Sequence, residues 1–434
     1  MTRLVLVGLL ALVGLMTSAT PAGAAERPNV VLIFVDDMGY ADIGPFGATA
    51  VKTPHLDAFA REGRRFTSFY ATPVCSMSRA CLMTGCYNVR VSIPGVLFPR
   101  SKVGLHPDEV TVAEILKSAG YATAIVGKWH LGDAPEHLPN AQGFDHYFGL
   151  PYSNDMTGDK KDYPPLPLYE NGTVLETEPD QSQLTRRYTE QAVAFMTAHK
   201  DGPFFLYLPH SMIHFPLAAS ADFAGKSAAG PVGDAIEEVD WSVGRIMKAL
   251  KELGLDEKTL VIFTSDNGPA RRAAPPFRGN KGTPFEGGVR EPCLMRWPGR
   301  IPAGTTCDQI AGNIDVLPTL AALCGGTLPA GRTLDGRDIS SLLTEASPGP
   351  VRDVHLHFRS QGDLAAIRKG RWKLFLAGPA EGALYDLAAD PSEATDVAST
   401  HPDVVADLTG EADARHREIL AHRRPAGTAT WPAR

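Results

Sequence analysis

Beyond its first two dozen residues the chain has no apolar run of the ~20 residues that crossing a bilayer requires, so no membrane span is expected in the mature protein. It also has no surplus of positive charge. Against 42 Lys and Arg stand 49 Asp and Glu, a formal net charge of −7 with a pI near 6.0. A nucleic-acid partner would call for a basic face, and this balance argues against one. Internal repeats and low-complexity tracts are missing as well, and cysteine is sparse, with six residues in 434.

What is present is apolar content of 44% over 434 residues, enough to bury a large core and to suggest one big domain with a smaller companion. Residues 1–24 read as a secretory signal peptide. Arg3 supplies the positive start, residues 4–16 the apolar run, and Ala22-Gly23-Ala24 the small-residue cleavage site. No cysteine lies near that site, which argues against a lipid-anchored start. The protein is therefore expected to be exported, periplasmic or secreted.

From about residue 29 to 322 strand and helix signals alternate, the pattern of an α/β domain with a largely parallel sheet. Val30-Val31-Leu32-Ile33-Phe34-Val35 is a continuous apolar run suited to a strand buried on both faces. Further strands are expected at 122–126, 204–208, 260–264 and 293–296. Helices are expected from Thr53-Pro54 through residue 60, over 110–119 and over 234–253. After about residue 335 the pattern changes to short strands at 354–358, 364–368 and 372–375 and a closing helix over 402–422. This is expected to be a C-terminal α+β subdomain, residues 335–434, with an antiparallel sheet, beside a larger α/β domain of residues 25–334.

Two acidic pairs fall directly after strands: Asp36-Asp37 follows the first apolar run, and Asp266-Asn267-Gly268 follows the strand ending at Thr264. In open α/β sheets ligands gather at the carboxyl ends of strands. Three carboxylates and an amide are hard oxygen donors that suit Ca²⁺ or Mg²⁺ better than Zn²⁺. Between the pairs lies Cys75-Ser76-Met77-Ser78-Arg79-Ala80, continuing through Cys81-Leu82-Met83-Thr84-Gly85. Lys128 and His130 occur in Gly127-Lys128-Trp129-His130-Leu131-Gly132, and Lys281 in Gly279-Asn280-Lys281-Gly282-Thr283. That last stretch runs on to Glu286-Gly287-Gly288-Val289-Arg290-Glu291-Pro292.

In order and content these motifs resemble the type I sulfatases, formylglycine-dependent members of the alkaline phosphatase superfamily, and most of all the branch of arylsulfatase A and N-acetylgalactosamine-6-sulfatase. The family pattern at the first motif is Cys-x-Pro/Ala-x-Arg, with Met77 standing here in the middle position. The resemblance implies a large mixed, mostly parallel sheet sandwiched by helices. It implies hydrolysis of sulfate esters at the S–O bond, on sulfated glycans or aryl sulfates. It also implies that a formylglycine-generating maturation enzyme oxidises Cys75 to Cα-formylglycine, whose hydrate attacks sulfur. One hydroxyl of such a geminal diol takes the sulfuryl group, and deprotonation of the other expels sulfate.

By the same resemblance Asp36, Asp37, Asp266 and Asn267, with the residue at 75, hold a divalent ion, Ca²⁺ in preference to Mg²⁺, and Arg79, Lys128 and Lys281 clamp the anion. His130 takes the proton from the hemiacetal hydroxyl, and His214, in His214-Phe215-Pro216, protonates the departing alcohol. His210 is a nearby competitor, but the family places the functional histidine just before x-Pro. Ser153, in Pro151-Tyr152-Ser153-Asn154-Asp155, matches a serine beside the sulfate in the arylsulfatase A-like branch.

With Cys75 so assigned, Cys81, Cys86, Cys293, Cys307 and Cys324 remain. An odd remainder in an exported protein requires a further free thiol or an intermolecular pairing. Residues 155–178 form a long polar, Pro-rich stretch expected to line the mouth of the pocket, within which Asn171-Gly172-Thr173 has the form of a glycosylation sequon and reads more simply as a tight turn. Two other functions fit the same residues. One is a phosphonate or phosphate ester hydrolase of the same superfamily. The other is a non-catalytic binder of sulfated polysaccharide, should Met77 keep Cys75 a thiol.

Overall fold

The computed structural model describes residues 27–160 and 163–431, so the expected signal peptide lies outside the described residues. Asn29–Val35 forms a strand at the heart of the molecule, and every one of its residues is buried. Its side chains alternate between two cores. Val30, Leu32 and Phe34 enter one, and Val31, Ile33 and Val35 the other, so the unbroken apolar run is what a strand covered on both faces requires.

Among the described residues this strand belongs to a sheet of eleven. From edge to edge ten of them run Thr305–Cys307, Arg64–Tyr70, Arg290–Arg296, Thr259–Ser265, Asn29–Val35, Phe204–Pro209, Ala122–Val126, His146–Gly149, Pro167–Glu170 and Thr173–Thr177. Ala311–Gly312 pairs with Arg64–Tyr70 off this path. The central strands are parallel. Arg290–Arg296 is antiparallel to both its neighbours. The first core is roofed by helices Cys75–Thr84, Val112–Ser118 and Val316–Cys324, and the second by Pro54–Glu62, Leu184–Ala198 and Gly230–Glu252. The architecture is the mixed, mostly parallel, helix-sandwiched sheet that the sequence led us to expect.

Local chemistry explains several element ends. Pro54 opens its helix at a position where a missing N–H costs nothing. Val112–Ser118 starts on a capping box. The Glu114 N–H donates to Thr111 Oγ1 (3.2 Å), and the Thr111 N–H donates to Glu114 Oε2 (2.7 Å). Cys75–Thr84 ends at Gly85, whose left-handed φ of 66° closes the helix.

A second sheet of four antiparallel strands, Val354–Phe358, Leu364–Lys369, Trp372–Phe375 and Leu384–Asp386, packs with helix Pro402–Ala421 through Leu356, Ile367, Leu374, Leu408, Ala412 and Ile419. Val74, Met77 and Cys81 join that small core, while Ala80, Leu82 and Met83 join the large one. The helix Cys75–Thr84 is thus wedged between two cores, with all ten of its residues buried.

Two features depart from the sequence reading. Residues 155–178 are not one irregular stretch: Pro167–Glu170 and Thr173–Thr177 make an antiparallel hairpin on the far edge of the large sheet. Its turn is at Asn171 (φ 47°) and Gly172 (φ 80°), and Asn171 Oδ1 accepts from the Tyr147 N–H (2.9 Å). Arg64–Tyr70 is a strand that its charged start conceals. Arg64 is buried because its guanidinium donates to Thr305 Oγ1 (2.8 Å) and to the Leu342 carbonyl (2.5 Å). All six cysteines are buried and unpaired.

Candidate functional site

The ends of the central strands converge on one buried polar cluster. Asp36 and Asp37 leave the first strand, Asp37 with φ of 61°, a left-handed conformation that Asp tolerates better than most residues. Asp266 and Asn267 leave the neighbouring strand, and the Asp37 N–H donates to Asp266 Oδ1 (3.1 Å). Gly268 lets this turn approach the Gly287-Gly288 backbone, where a Cβ would sit 1.9 Å from the Gly287 carbonyl. Lys128 follows Gly127, at which a Cβ would sit 1.9 Å from the Pro209 carbonyl.

Each carboxylate divides its oxygens. Lys128 Nζ and Arg79 Nη2 (3.7 Å) face Asp36 Oδ2, Arg79 Nη2 holds Asp266 Oδ2 (2.9 Å), and Lys281 Nζ holds Asp37 Oδ1 (2.6 Å). Asn267 Nδ2 donates to Asp37 Oδ1 as well (2.7 Å). That leaves Asp36 Oδ1, Asp37 Oδ2 and Asn267 Oδ1 buried with no hydrogen-bond partner. Orphaned buried oxygens are costly, and three at one place fit an oxygen-liganded cation. Asp36 and Asp266 also each bring an oxygen into one ligand group with Cys75 Sγ, in which the atoms lie within 4.8 Å of one another.

Burial would raise the Asp36 carboxyl, but Lys128, His214, Arg79 and Lys281 hold it below the usual carboxylate range. Burial and the neighbouring Asp36 charge push the Asp266 carboxyl up, against the pull of Arg79 and Lys128. Burial raises the Cys75 thiol despite Lys128 and Lys281. An unaltered thiol here stays protonated and is a poor nucleophile.

The two expected histidines occupy different surroundings. His130 is buried, with φ of 63°. Its Nε2 lies 2.8 Å from the Leu97 carbonyl, an acceptor only, which assigns the ring proton to Nε2 and leaves the unpartnered Nδ1 as the basic atom. Burial, Lys128 and Arg79 hold the ring well below its ordinary value, hence neutral. His214 is more open, its side chain 13% exposed. Its Nδ1 faces Asn154 Oδ1 (3.0 Å) and the Phe215 carbonyl (2.6 Å), both acceptors, and its Nε2 lies 3.7 Å from Asp37 Oδ2. Burial lowers this ring too.

Ser153 Oγ accepts from Lys128 Nζ (3.2 Å) and lies 3.4 Å from His214 Nδ1. Thus Asp36, Asp37, Cys75, Arg79, Lys128, His130, Ser153, His214, Asp266, Asn267 and Lys281 are brought to one place. His210 is not. It is buried against Ser242, 3.3 Å from its Oγ, and Tyr188.

Residues that sequence reasoning passed over hold this cluster in shape. Asn154 orients His214 and is itself fixed by two hydrogen bonds with the Gln181 amide (2.9 and 2.8 Å). Ser76 Oγ accepts from the Leu97 N–H (3.1 Å), which sets the carbonyl that His130 uses. Arg272 pairs with Asp42 through both oxygens and reaches the Asp37 carbonyl (3.2 Å).

The Sulfatase family model matches residues 28–326. The chain belongs to the sulfatase family, whose members are sulfuric ester hydrolases. A second model, N-sulphoglucosamine sulphohydrolase C-terminal, matches residues 280–417. This sulfatase is 41% identical to human arylsulfatase A over 411 residues, covering 87% of this chain and 80% of the relative. It is 39% identical to mouse N-acetylgalactosamine-6-sulfatase, covering 82% and 73%. Among solved structures it resembles the PsFucS1 sulfatase from Pseudoalteromonas sp., with a TM-score of 0.85 at 30% identity, covering 92% of both chains. It also resembles Ps i-CgsB solved in complex with a neocarrahexaose, with a TM-score of 0.81 at 30% identity, covering 92% and 94%. The phosphonate monoester hydrolase of Agrobacterium radiobacter, at 21% identity and a TM-score of 0.68, shares the fold.

Proposed function

We propose that this sulfatase is an exported, Ca²⁺-dependent hydrolase of sulfated glycans in which Cys75 is the precursor of Cα-formylglycine. The observation that carries the reading is the set of unpartnered oxygens on Asp36, Asp37 and Asn267, ringed by Arg79, Lys128 and Lys281 around Cys75. Asp36, Asp37, Asp266 and Asn267 would hold the ion, with the residue at 75 beside them. When present, the formylglycine hydrate supplies an oxygen nucleophile, and the ion polarises the sulfate oxygens and lowers the pKa of the attacking hydroxyl.

The chain's own residues do the rest. Lys128, Lys281 and Arg79 oppose negative charge on the transferring group with cations that need no reorganisation, because carboxylates and backbone already fix them. Ser153, on Lys128 Nζ, offers a hydroxyl to a sulfate oxygen. His130 Nδ1, neutral and free, accepts a proton from the residue at position 75. His214 Nε2, at the open side, delivers a proton to the leaving alcohol oxygen. The approach of an anionic ester favours the protonated ring that this step requires. Met77, where the family pattern has Pro or Ala, packs its side chain with Val74, Cys81 and Tyr87 in the small core, so the folded site accommodates it.

Peptide mass spectrometry on protein made with a formylglycine-generating enzyme tests this directly. The peptide containing residue 75 is expected to be lighter by about 18 Da than the thiol form, the arithmetic of replacing CH₂SH by CHO. Cys75→Ala is expected to keep the fold, by circular dichroism, and lose all turnover of sulfated sugars. Full activity in that variant refutes the mechanism, and an unmodified thiol in wild-type protein turns the reading toward a binder of sulfated polysaccharide.

A further inference from the structure

The segment from Asn267 to the helix Glu286–Val289 is pinned at three points. Gly268 donates its N–H to the Gly288 carbonyl (3.2 Å). Arg272 grips Asp42 with both guanidinium arms. Phe277 packs its ring 4.7 Å from Tyr40, with the Arg290 guanidinium 4.7 Å over it. Between the first two pins stands Arg271. It is exposed and held in the left-handed region at φ 57°, where a residue with a Cβ pays a conformational penalty. Its guanidinium lies 5.2 Å over the ring of Phe215, the residue after His214. Among the described residues no carboxylate pairs with it.

This is an unusual way to leave an arginine. The pinned backbone and the ring beneath restrict its side chain, so the entropy cost of using it has been met in the folded state. A guanidinium over a ring and without a carboxylate partner keeps its N–H groups available for a bidentate contact with a carboxylate or sulfate. The ring beneath it follows His214 directly, and the Lys281 N–H donates to the carbonyl of Pro269 (3.1 Å), two residues before Arg271; the His214 and Lys281 side chains, 13% and 18% exposed, mark the open side of the cluster. Arg272, one residue on, has its charge met by Asp42. The charge of Arg271 is unmet at the edge of a site that already receives one anion.

We propose that Arg271, braced by Phe215, is a second anion subsite that selects glycans carrying a further negative group, a uronate carboxylate or another sulfate, near the scissile sulfate. The inference rests on the glycan reading above and adds the substrate class: polyanionic rather than singly sulfated neutral sugars. Phe215 acts as a positioning residue for the guanidinium.

The test compares wild type, Arg271→Gln and Arg271→Lys on three oligosaccharides matched in size: one singly sulfated and neutral elsewhere, one with a second sulfate, one with a uronate. Loss of a charge-assisted contact of ~1.4 kcal/mol is tenfold. Arg271→Gln is therefore expected to raise KM about tenfold for at least one doubly anionic substrate, with kcat held and the neutral substrate unaffected. Arg271→Lys is expected to recover part of the loss. Which of the two anionic substrates responds identifies the group. An unchanged KM on all three, or an equal rise on the neutral one, overturns the subsite. Calorimetric binding of a sulfated, uronate-containing tetrasaccharide is the second measurement, and equal affinity of wild type and Arg271→Gln also overturns it. Because binding needs no turnover, failure of the subsite stays separate from failure of the hydrolase reading, which would show as wild-type inactivity on every sulfate ester.

Discussion

Arg79 is shared by Asp36 and Asp266 and donates its Nη1 to the Lys128 carbonyl (2.7 Å), so one side chain ties three strand-end segments together with no exposure to water. Removing one partner from a buried ion pair leaves the other uncompensated, at a cost of about 3–5 kcal/mol. Arg79→Met is expected to lose stability in that range by denaturant unfolding. Chelation with EGTA is expected to lower the melting temperature and abolish turnover, and stoichiometric Ca²⁺ to restore both better than Mg²⁺. An unmoved melting temperature would count against a resident cation. At this scale much was legible, because Asp, His and Lys at strand ends and beside glycines announce themselves by type. Leu97 was not, since its role uses a backbone carbonyl that any residue would supply. Asn154 was not, because an amide in a loop carries no signal until its partner His214 arrives from 60 residues away.

The segment that carries Lys281 takes its position from the small sheet. Glu286, at the start of its short helix, binds Lys373 Nζ from strand Trp372–Phe375 (2.8 Å), and Lys373 also binds Glu393 (2.9 Å). Glu393 Oε2 in turn accepts from the Glu286 N–H (2.7 Å), and Tyr70 OH and Arg290 complete the Glu286 carboxylate (2.7 and 3.1 Å). At the other end of the segment the Gly282 N–H donates to the Pro73 carbonyl (2.7 Å), two residues before Cys75. Lys373→Met is expected to cost about 3–5 kcal/mol and to lower kcat through a loosened Lys281, whereas Lys373→Arg is expected to keep part of both. Urea unfolding and steady-state kinetics check this. Among elements, the apolar parallel strands and the long helices could be read from period and composition. Arg64–Tyr70 could not, because charged side chains that find buried partners look the same in sequence as those that find water, and the hairpin 167–177 could not, because its largely exposed second strand carries no apolar run.

Across the whole molecule, histidines locked away from water set the acid limit of stability. Burial lowers His210 from its ordinary 6.5 to about 4, and His355 and His357 move in the same direction. The unfolded chain protonates His210 below pH 6.5, but the folded chain resists until about pH 4. The His210 contribution is therefore complete above pH 6.5 and is lost as pH falls from 6.5 to 4. The gap of 2.5 units (6.5 minus 4) is worth ~3 kcal/mol. Unfolding free energies are expected to fall over that window, and His210→Asn to flatten the slope. An identical slope in the variant would assign the loss to other groups.

Cys75 is 1% exposed and opens a helix wedged between two cores, one of which is closed by strands as far along the chain as Leu384–Asp386. Once those strands have docked, no second protein can reach it. Any enzyme that alters this side chain must work on a nascent or still unfolded chain, in competition with folding itself. Under the formylglycine reading proposed above, the rate at which the small sheet closes sets the fraction of molecules converted, and a variant that folds faster is expected to be more stable yet, per molecule, less active.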